Sequence, residues 1–546
     1  MELLIDVFGW ADVILRGLAL VAQSLTVGGI IFVALAYRPI AHDAPNGAIE
    51  RRCARLIQWS ALSLCAIEAF RLTVVMAALI GGTGIDLSTA LGAGVAHATM
   101  AEIAAALLIA IATGYARIDI AWLAVPAAAI LVASTMMSHS VARLDNQLSL
   151  AIVFFCHQLG AAAWIGGIPY LIAALARAEG STFAIAIAAR FSALAMAAVA
   201  VLIVAGLTLV YEYVGSWSNL YGTSYGAMVT TKAAMLGSLL CLGAANFFLV
   251  RRARLAPSTP LIRLRRFAEA EIGIGVAVFL CAASLTSTPP AVDIPGDVAS
   301  WDEVVLRMTP QWPRFTSPSH SETSIQVLQA KLDREAASRG TAARAFIPGA
   351  GIPPPSNASD IAWSEFNHHW SGVFVLLIGL LAIADQAGAG RWARHWPLVF
   401  LLLAAFLFVR SDPKYWPLGS IPFWEGMRDA EALQHRAAVF VVVVLAGFEW
   451  AVRTRRLKSP RAALMFPLLC SVGGAMLLTH SHSIASLKDE LLVEVTHLPL
   501  ALLSLAAGWS RWLELRLPAD QGRAYGWVWP IALALIGVLL LLYREA

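Results

Sequence analysis

The residues of this sequence with the most chemistry in them are its histidines and the methionines beside them. Met136 and Met137 run directly into Ser138 and His139, and His97 and Met100 stand three apart, on one face of a helix. His157 and His497 fall inside long apolar stretches, His435 opens another, His368 and His369 are adjacent, and His480 and His482 flank a serine. Imidazole suits copper, iron and zinc, and a thioether beside it adds a preference for monovalent copper. His157 lies about nine residues into its stretch and His497 about seven; at about 1.5 Å per residue both sit well inside a membrane-spanning helix. Each has a bland alternative: a neutral imidazole bonded to a neighbouring helix, a methionine filling core, a solvated His-Ser-His loop. Two neighbouring histidines in the i, i+2 relation share no helical face, so His480 and His482 would bind one ion only at a frayed helix end.

These side chains need membrane helices to position them. Of the 546 residues 59% are hydrophobic and 14% are charged, against about 45–50% and about 25% in soluble proteins. Too little charge is present to cover a soluble core, which excludes a soluble enzyme. The net charge is +4 and the arginines gather in short loops rather than forming a nucleic-acid face. The six cysteines show neither a CxxC spacing nor a disulfide framework. No phosphate-binding GxxxxGK[ST] loop occurs, so ATP-driven pumping is not expected. The N-terminal MELLIDVFGW lacks a basic region and a small-residue cleavage site, and no removable signal peptide is expected.

About 20 apolar residues cross a bilayer as a helix. The sequence holds about fourteen such stretches, eight before residue 289 and six after residue 365. The expected architecture is an all-α polytopic bundle. An eight-helix domain occupies 1–288, a Pro- and Ser-rich periplasmic linker or small cap 289–365, and a six-helix His-rich domain 366–546. Placing both termini in the periplasm puts well over half of the 39 Lys and Arg in cytoplasmic loops, as orientation requires. Under that topology every histidine except His42 and His395 maps to the outward side. Ionisable groups at membrane depth are costly and mark functional interiors, so a one-sided set favours ligands over packing.

Other intramembrane charges read first as pairs. Glu68 and Arg71 are three apart on one helix, and Glu102, Glu212, Lys232, Glu269 and Glu271 either pair between helices or relay protons. Trp217, Tyr221, Tyr225, Trp527 and Trp529 lie near helix ends, as interfacial anchors do. There is also an internal echo: SHSVARLDNQLSLAIVFFCHQL at 138–159 resembles SHSIASLKDELLVEVTHLPL at 481–500.

The run HQLGAAAWIGGIPY at 157–170 resembles the bacterial copper resistance protein D (CopD) family, with a membrane histidine followed by a Trp-Ile-Gly-Gly turn. The likeness continues through ARFSALAMAAVAVLIVAGL, YGAMVTTKAAM and SLTSTPPAVD, covering about 150–293 well and the first four helices loosely. The second half, with FNHHWSG, RSDPKYWPLG, LQHRA and LLTHSHS, resembles the C-terminal extension of longer CopD proteins. The resemblance implies a multi-pass protein of the bacterial inner membrane that moves copper from periplasm toward cytoplasm. It also implies a periplasmic CopC-type copper-binding partner. No Met-rich tail or fused CopC-like domain is evident, so capture would fall to a separate protein. Carried over residue by residue, the inference covers His157 best and His139 next; Met136, Met137 and His97 join them as metal candidates on position and spacing alone. His368, His369, His435, His480, His482 and His497 follow by analogy as a second site. The inward half offers few soft ligands, Cys241 and Met235 being the plausible ones.

The His-x6-Trp-x-Gly pattern is also similar to HemJ-type protoporphyrinogen oxidases. That alternative implies a haem b redox protein, with His435, His482 and His497 pairing with His368 or His369 as axial ligands. On either reading the copper ion or the haem sits among the same histidines.

Overall fold

The computed structural model of the chain describes residues 8–43, 47–114, 120–143, 145–178, 182–342, 356–479 and 487–545. Among the described residues, twelve helices are long and apolar enough to cross a membrane, and two shorter apolar helices bring the number to the expected fourteen. In chain order they are α1 Phe8–Asp43, α2 Ala48–Thr83, α3 Gly94–Gly114, α4 Ala121–Met136, α5 Gln147–Leu175, α6 Thr182–Tyr213 and α7 Ser224–Leu255. After these come α8 Ile262–Leu285, α9 Ala358–Gln386, α10 Arg391–Arg410, α11 Ala430–Arg453, α12 Ala462–Leu478, α13 Leu487–Arg516 and α14 Ala519–Leu541. Among the described residues there is no strand. Lipid offers backbone groups no partner, so a segment this apolar must close its hydrogen bonds within itself, as a helix does. Polar residues mark the ends: Asn357 caps α9 in a reciprocal box with Asp360, and Asp429 caps α11.

The chain divides into two compact units. The first comprises Ala11–Trp217 and Lys232–Ile294. Its centre is the contact of α1 with α5, where a Cβ on Gly28 would overlap the Ala162 carbonyl and one on Gly166 the Ser24 carbonyl. Such small residues let helix backbones approach where the hydrophobic effect gives no drive to associate. Both helices carry a π-helical turn in this region, Phe32–Tyr37 and Ala162–Gly166. A buried polar chain crosses the seam: Gln23 donates to Gln158 at 2.7 Å and Gln158 to Thr135 at 3.2 Å. At one end, Arg16 donates to the Met137 carbonyl at 2.9 Å, Ser140 meets Tyr213 at 2.9 Å, and Arg143 reaches the Glu212 carbonyl and Asp293.

The second unit comprises Ser218–Thr231 and Pro295–Ala546. Helices α9 and α14 meet along another small-residue seam, where a Cβ on Gly372 or Gly379 would overlap the backbone at Leu541 or Ala534. At one end of this unit, Trp363 and Asn367 of α9 donate to the Arg410 carbonyl of α10, and Arg436 of α11 to that of Trp416. At the other end Arg453 pairs with Asp385 and Glu449, and Arg511 with Glu514, beneath the rings of Trp396 and Trp529. Trp529 is therefore no interfacial anchor. It is fully buried, with its indole N–H donating to Glu514 at 2.9 Å. The described part of the polar segment forms two helices, Trp301–Met308 and Ser324–Arg339.

Candidate metal centre

Two imidazoles meet at the α9/α11/α13 end of the second unit, with a third nearby. His368 of α9 and His497 of α13 lie edge to face with ring centroids 5.5 Å apart, and Tyr543 stacks on His368 at 3.9 Å. His435 of α11 lies within electrostatic reach of both. Each Nδ1 has its own oxygen partner: the Ser364 carbonyl for His368 at 2.9 Å, the Val493 carbonyl for His497 at 2.8 Å, and Asp412 Oδ1 for His435 at 2.7 Å. For His368 and His497, an Nδ1–H spent on a backbone carbonyl fixes the ring's direction. Metal-ligating histidines are supported in this way by carboxylates and backbone carbonyls. The helical i−4 geometry supplies the carbonyls for His368 and His497. Asp412 comes from the loop after α10.

Asp412 is buried and also accepts from Ser411. Burial alone would raise its carboxyl, but the charge and hydrogen bond of His435, with Ser411 and Arg436, hold it below the ordinary carboxylate value.

Residue 369 differs from its neighbour. The Arg314 amide donates to His369 Nδ1 at 2.7 Å, so Nε2 carries the proton and donates to the Tyr543 carbonyl at 2.8 Å. Both nitrogens are occupied, and His369 as placed ties the polar segment and the chain end to α9 rather than offering a lone pair. His480 and His482 lie outside the described residues. Among the described residues no three His, Cys, Asp or Glu converge closely enough to enclose a metal ion.

In the first unit, His139 follows α4 and lies against the backbone of Thr286 and Thr288. Its Nε2 is buried without a hydrogen-bond partner. Burial, and secondarily the Arg16 charge, lower its affinity for a proton. His157 of α5 lies across Gly206 of α6, and its Nδ1 is likewise buried and unpartnered. Met137 turns inward, its sulfur accepting from Thr99 Oγ1 at 3.3 Å. Met136 and Met100 face outward at 50% and 39% exposure, and His97 is exposed beside them. His97 and Met136 are thus not brought together with His139.

Two further groups belong to this interior. Cys65 of α2 points at α3, where its thiol meets the Ile103 carbonyl at 3.5 Å, whereas Cys241 is exposed. Glu102 of α3 is buried facing the same helix. The i, i+3 spacing of Cys65 and Glu68 was the available signal for Cys65. The Trp-Ile-Gly-Gly turn has a polar role as well as a packing one: Trp164 and Asn246 both hydrogen-bond Glu271 of α8, Asn246 at 2.5 Å.

These features define a multi-pass helical membrane protein with imidazole and thioether side chains turned into its interior. Residues 185–285, which run from the start of α6 to the end of α8, match the family model "Copper resistance protein D". A stretch of 163 residues is 31% identical to the Copper transport protein CutJ of Bacillus subtilis (strain 168), covering 29% of this chain and 29% of that protein. The chain thus matches under a third of that relative's length. No solved structure matches the chain.

Proposed function

We propose that this protein carries copper across the bacterial inner membrane, from periplasm toward cytoplasm, and so contributes to copper resistance and homeostasis. The observation that carries the reading is the pair His368 and His497, ring centroids 5.5 Å apart, each with Nδ1 committed to a backbone carbonyl. Two imidazoles oriented in this way suit a copper ion of low coordination number. The segment matched by the CopD model supplies the α6 wall on which His157 lies. In the orientation that places most basic residues in the cytoplasm, the helix ends that carry His368, His497 and His139 are the periplasmic ones, where a CopC-type protein would deliver the ion. His139 and Met137 then receive copper in the first unit and His157 passes it inward.

The test is copper accumulation in cells lacking other uptake, carrying wild type, His157→Ala or His497→Ala. Both variants should lose most of the accumulation. Unchanged accumulation in both would overturn the reading, and a visible Soret band in the purified protein would replace it with the haem one.

A further inference from the structure

We propose that Glu102 is a proton-exchange site. Its carboxyl carries a proton that leaves when a monovalent cation enters the first unit and returns when the cation departs. The proposal rests on the copper reading above and supplies a coupling that reading does not contain.

Glu102 is 1% exposed, and neither of its carboxyl oxygens has a hydrogen-bond partner. The ninth residue of α3, it lies about 12 Å along the helix, deep in the apolar region. The charged groups facing it are Arg16 and Asp12 of α1 and Glu68 and Arg71 of α2. Both guanidiniums are already engaged. Arg71 binds Asp12 at 2.7 Å and Glu68 at 3.4 Å, and Arg16 donates to the Met137 carbonyl. Three carboxyls therefore share two cations, and the one left over is Glu102. An ionised carboxylate in that position would have neither a hydrogen bond nor a counter-charge of its own, which is the most costly state a side chain can take in a membrane interior. The cluster is balanced only when one more positive charge is present, as a proton on Glu102 or as a cation beside it.

Sulfur donors stand on either side of that position. Thr99, one turn before Glu102 on the same face, donates to the Met137 sulfur. Cys65, one turn before Glu68 on α2, reaches the carbonyl of the residue after Glu102. A soft cation moving from Met137 toward Cys65 passes Glu102 and supplies the charge that the proton supplied before. The step is Glu102–COOH to Glu102–COO⁻ plus H⁺, with the entering cation compensating the charge and no electron transferred.

The experiment uses the purified full-length protein in a weakly buffered, dye-containing medium, with Ag(I) as a redox-inert stand-in for Cu(I). Wild type should release about one more proton per ion bound than Glu102→Gln, which keeps the shape and cannot ionise. Glu303→Gln, outside the cluster, should behave as wild type. Infrared spectra of the metal-free wild type should contain a protonated-carboxyl stretching band that Ag(I) removes and that Glu102→Gln lacks. Equal proton release by wild type and Glu102→Gln, or a wild-type spectrum without the band, overturns the exchange alone. Failure of wild type to bind Ag(I) at all overturns the copper reading with it. The wild-type band remains a test even if Glu102→Gln fails to assemble.

Discussion

His368 and His497 meet edge to face across two helices, ring centroids 5.5 Å apart, and each spends its Nδ1–H on the carbonyl one helical turn earlier in its own helix. The pair is thus oriented by backbone that cannot move without unwinding α9 or α13, whereas His435 depends on a side chain, Asp412. That difference predicts a graded result. His497→Ala should abolish tight Cu(I) binding at this end of the second unit. Asp412→Asn, which leaves every imidazole in place but weakens the support of one, should cost about 10–100-fold in affinity. Competition with a chromogenic Cu(I) chelator measures both. Equal, small losses would show that the imidazoles do not act as ligands.

The same carboxylate has a pH signature. Asp412 lies below the ordinary carboxylate value in the folded protein because its His435 and Arg436 partners outweigh its burial. As pH falls, the unfolded chain takes up this proton first, near about pH 4. The stabilisation is therefore complete above that value and is lost as pH drops through the lower, folded one. Thermal unfolding of the detergent-solubilised protein should show an acid-side fall in Tm that Asp412→Asn shares only in part. Parallel acid limbs would mean that the His435 pairing contributes nothing to the fold.

A second carboxylate fastens the polar segment. Glu303 closes the capping box of the Trp301–Met308 helix and binds Lys488 of α13 at 2.6 Å. The Lys488 hydrogen bond, followed by those from Ser300, holds its carboxyl down to about 2. Because the folded value is depressed, the contact persists throughout the range from pH 7 to about pH 4 and weakens only below it. Glu303→Gln should therefore speed amide exchange in residues 301–308 at neutral pH without altering exchange in α9. Salt should do the same, since the pair is exposed.

Much of this architecture is legible in the sequence because a membrane imposes one simple rule, about 20 apolar residues per crossing. Fourteen helices follow from it, and the Glu68–Arg71 pair follows from helical spacing alone. What is not legible is which face of each helix turns inward. In a soluble helix an apolar stripe marks the buried side, but in lipid both sides are apolar and the stripe vanishes. So His97, with Met100 three residues on, looks as good a ligand as His139 until α3 is seen to turn Thr99 and Glu102 inward and His97 out. His368 and His369 differ for the same reason: neighbours on a helix point about 100° apart, and only packing decides which meets His497. The Glu102 cluster draws on the first three helices, and beyond the Glu68–Arg71 pair no local spacing announces it. The glycines of the Trp-Ile-Gly-Gly turn are visible as a motif, yet their purpose emerges only from what stands opposite them.

That purpose gives a last prediction. A Cβ at Gly166 would overlap the Ser24 carbonyl, which is backbone of α1 and has no rotamer to escape into. Gly166→Ala must therefore push α1 away from α5, opening the seam crossed by the Gln23–Gln158 hydrogen bond. Overpacking of this kind costs about 1–3 kcal/mol. Gly237 of α7 provides the contrast, since nothing lies within 4 Å of a Cβ built there. Gly237→Ala should be neutral or stabilising, because alanine is favoured over glycine in a helix interior by about 1 kcal/mol. Unfolding of the two variants in detergent, followed by thermal shift, should thus move Tm in opposite directions. Gly166→Ala should also slow copper accumulation, because His157 lies on α5, whose packing against α1 it disturbs. If Gly166→Ala keeps the wild-type Tm, the α1–α5 contact is not close-packed and the motif's glycines serve some purpose other than helix approach.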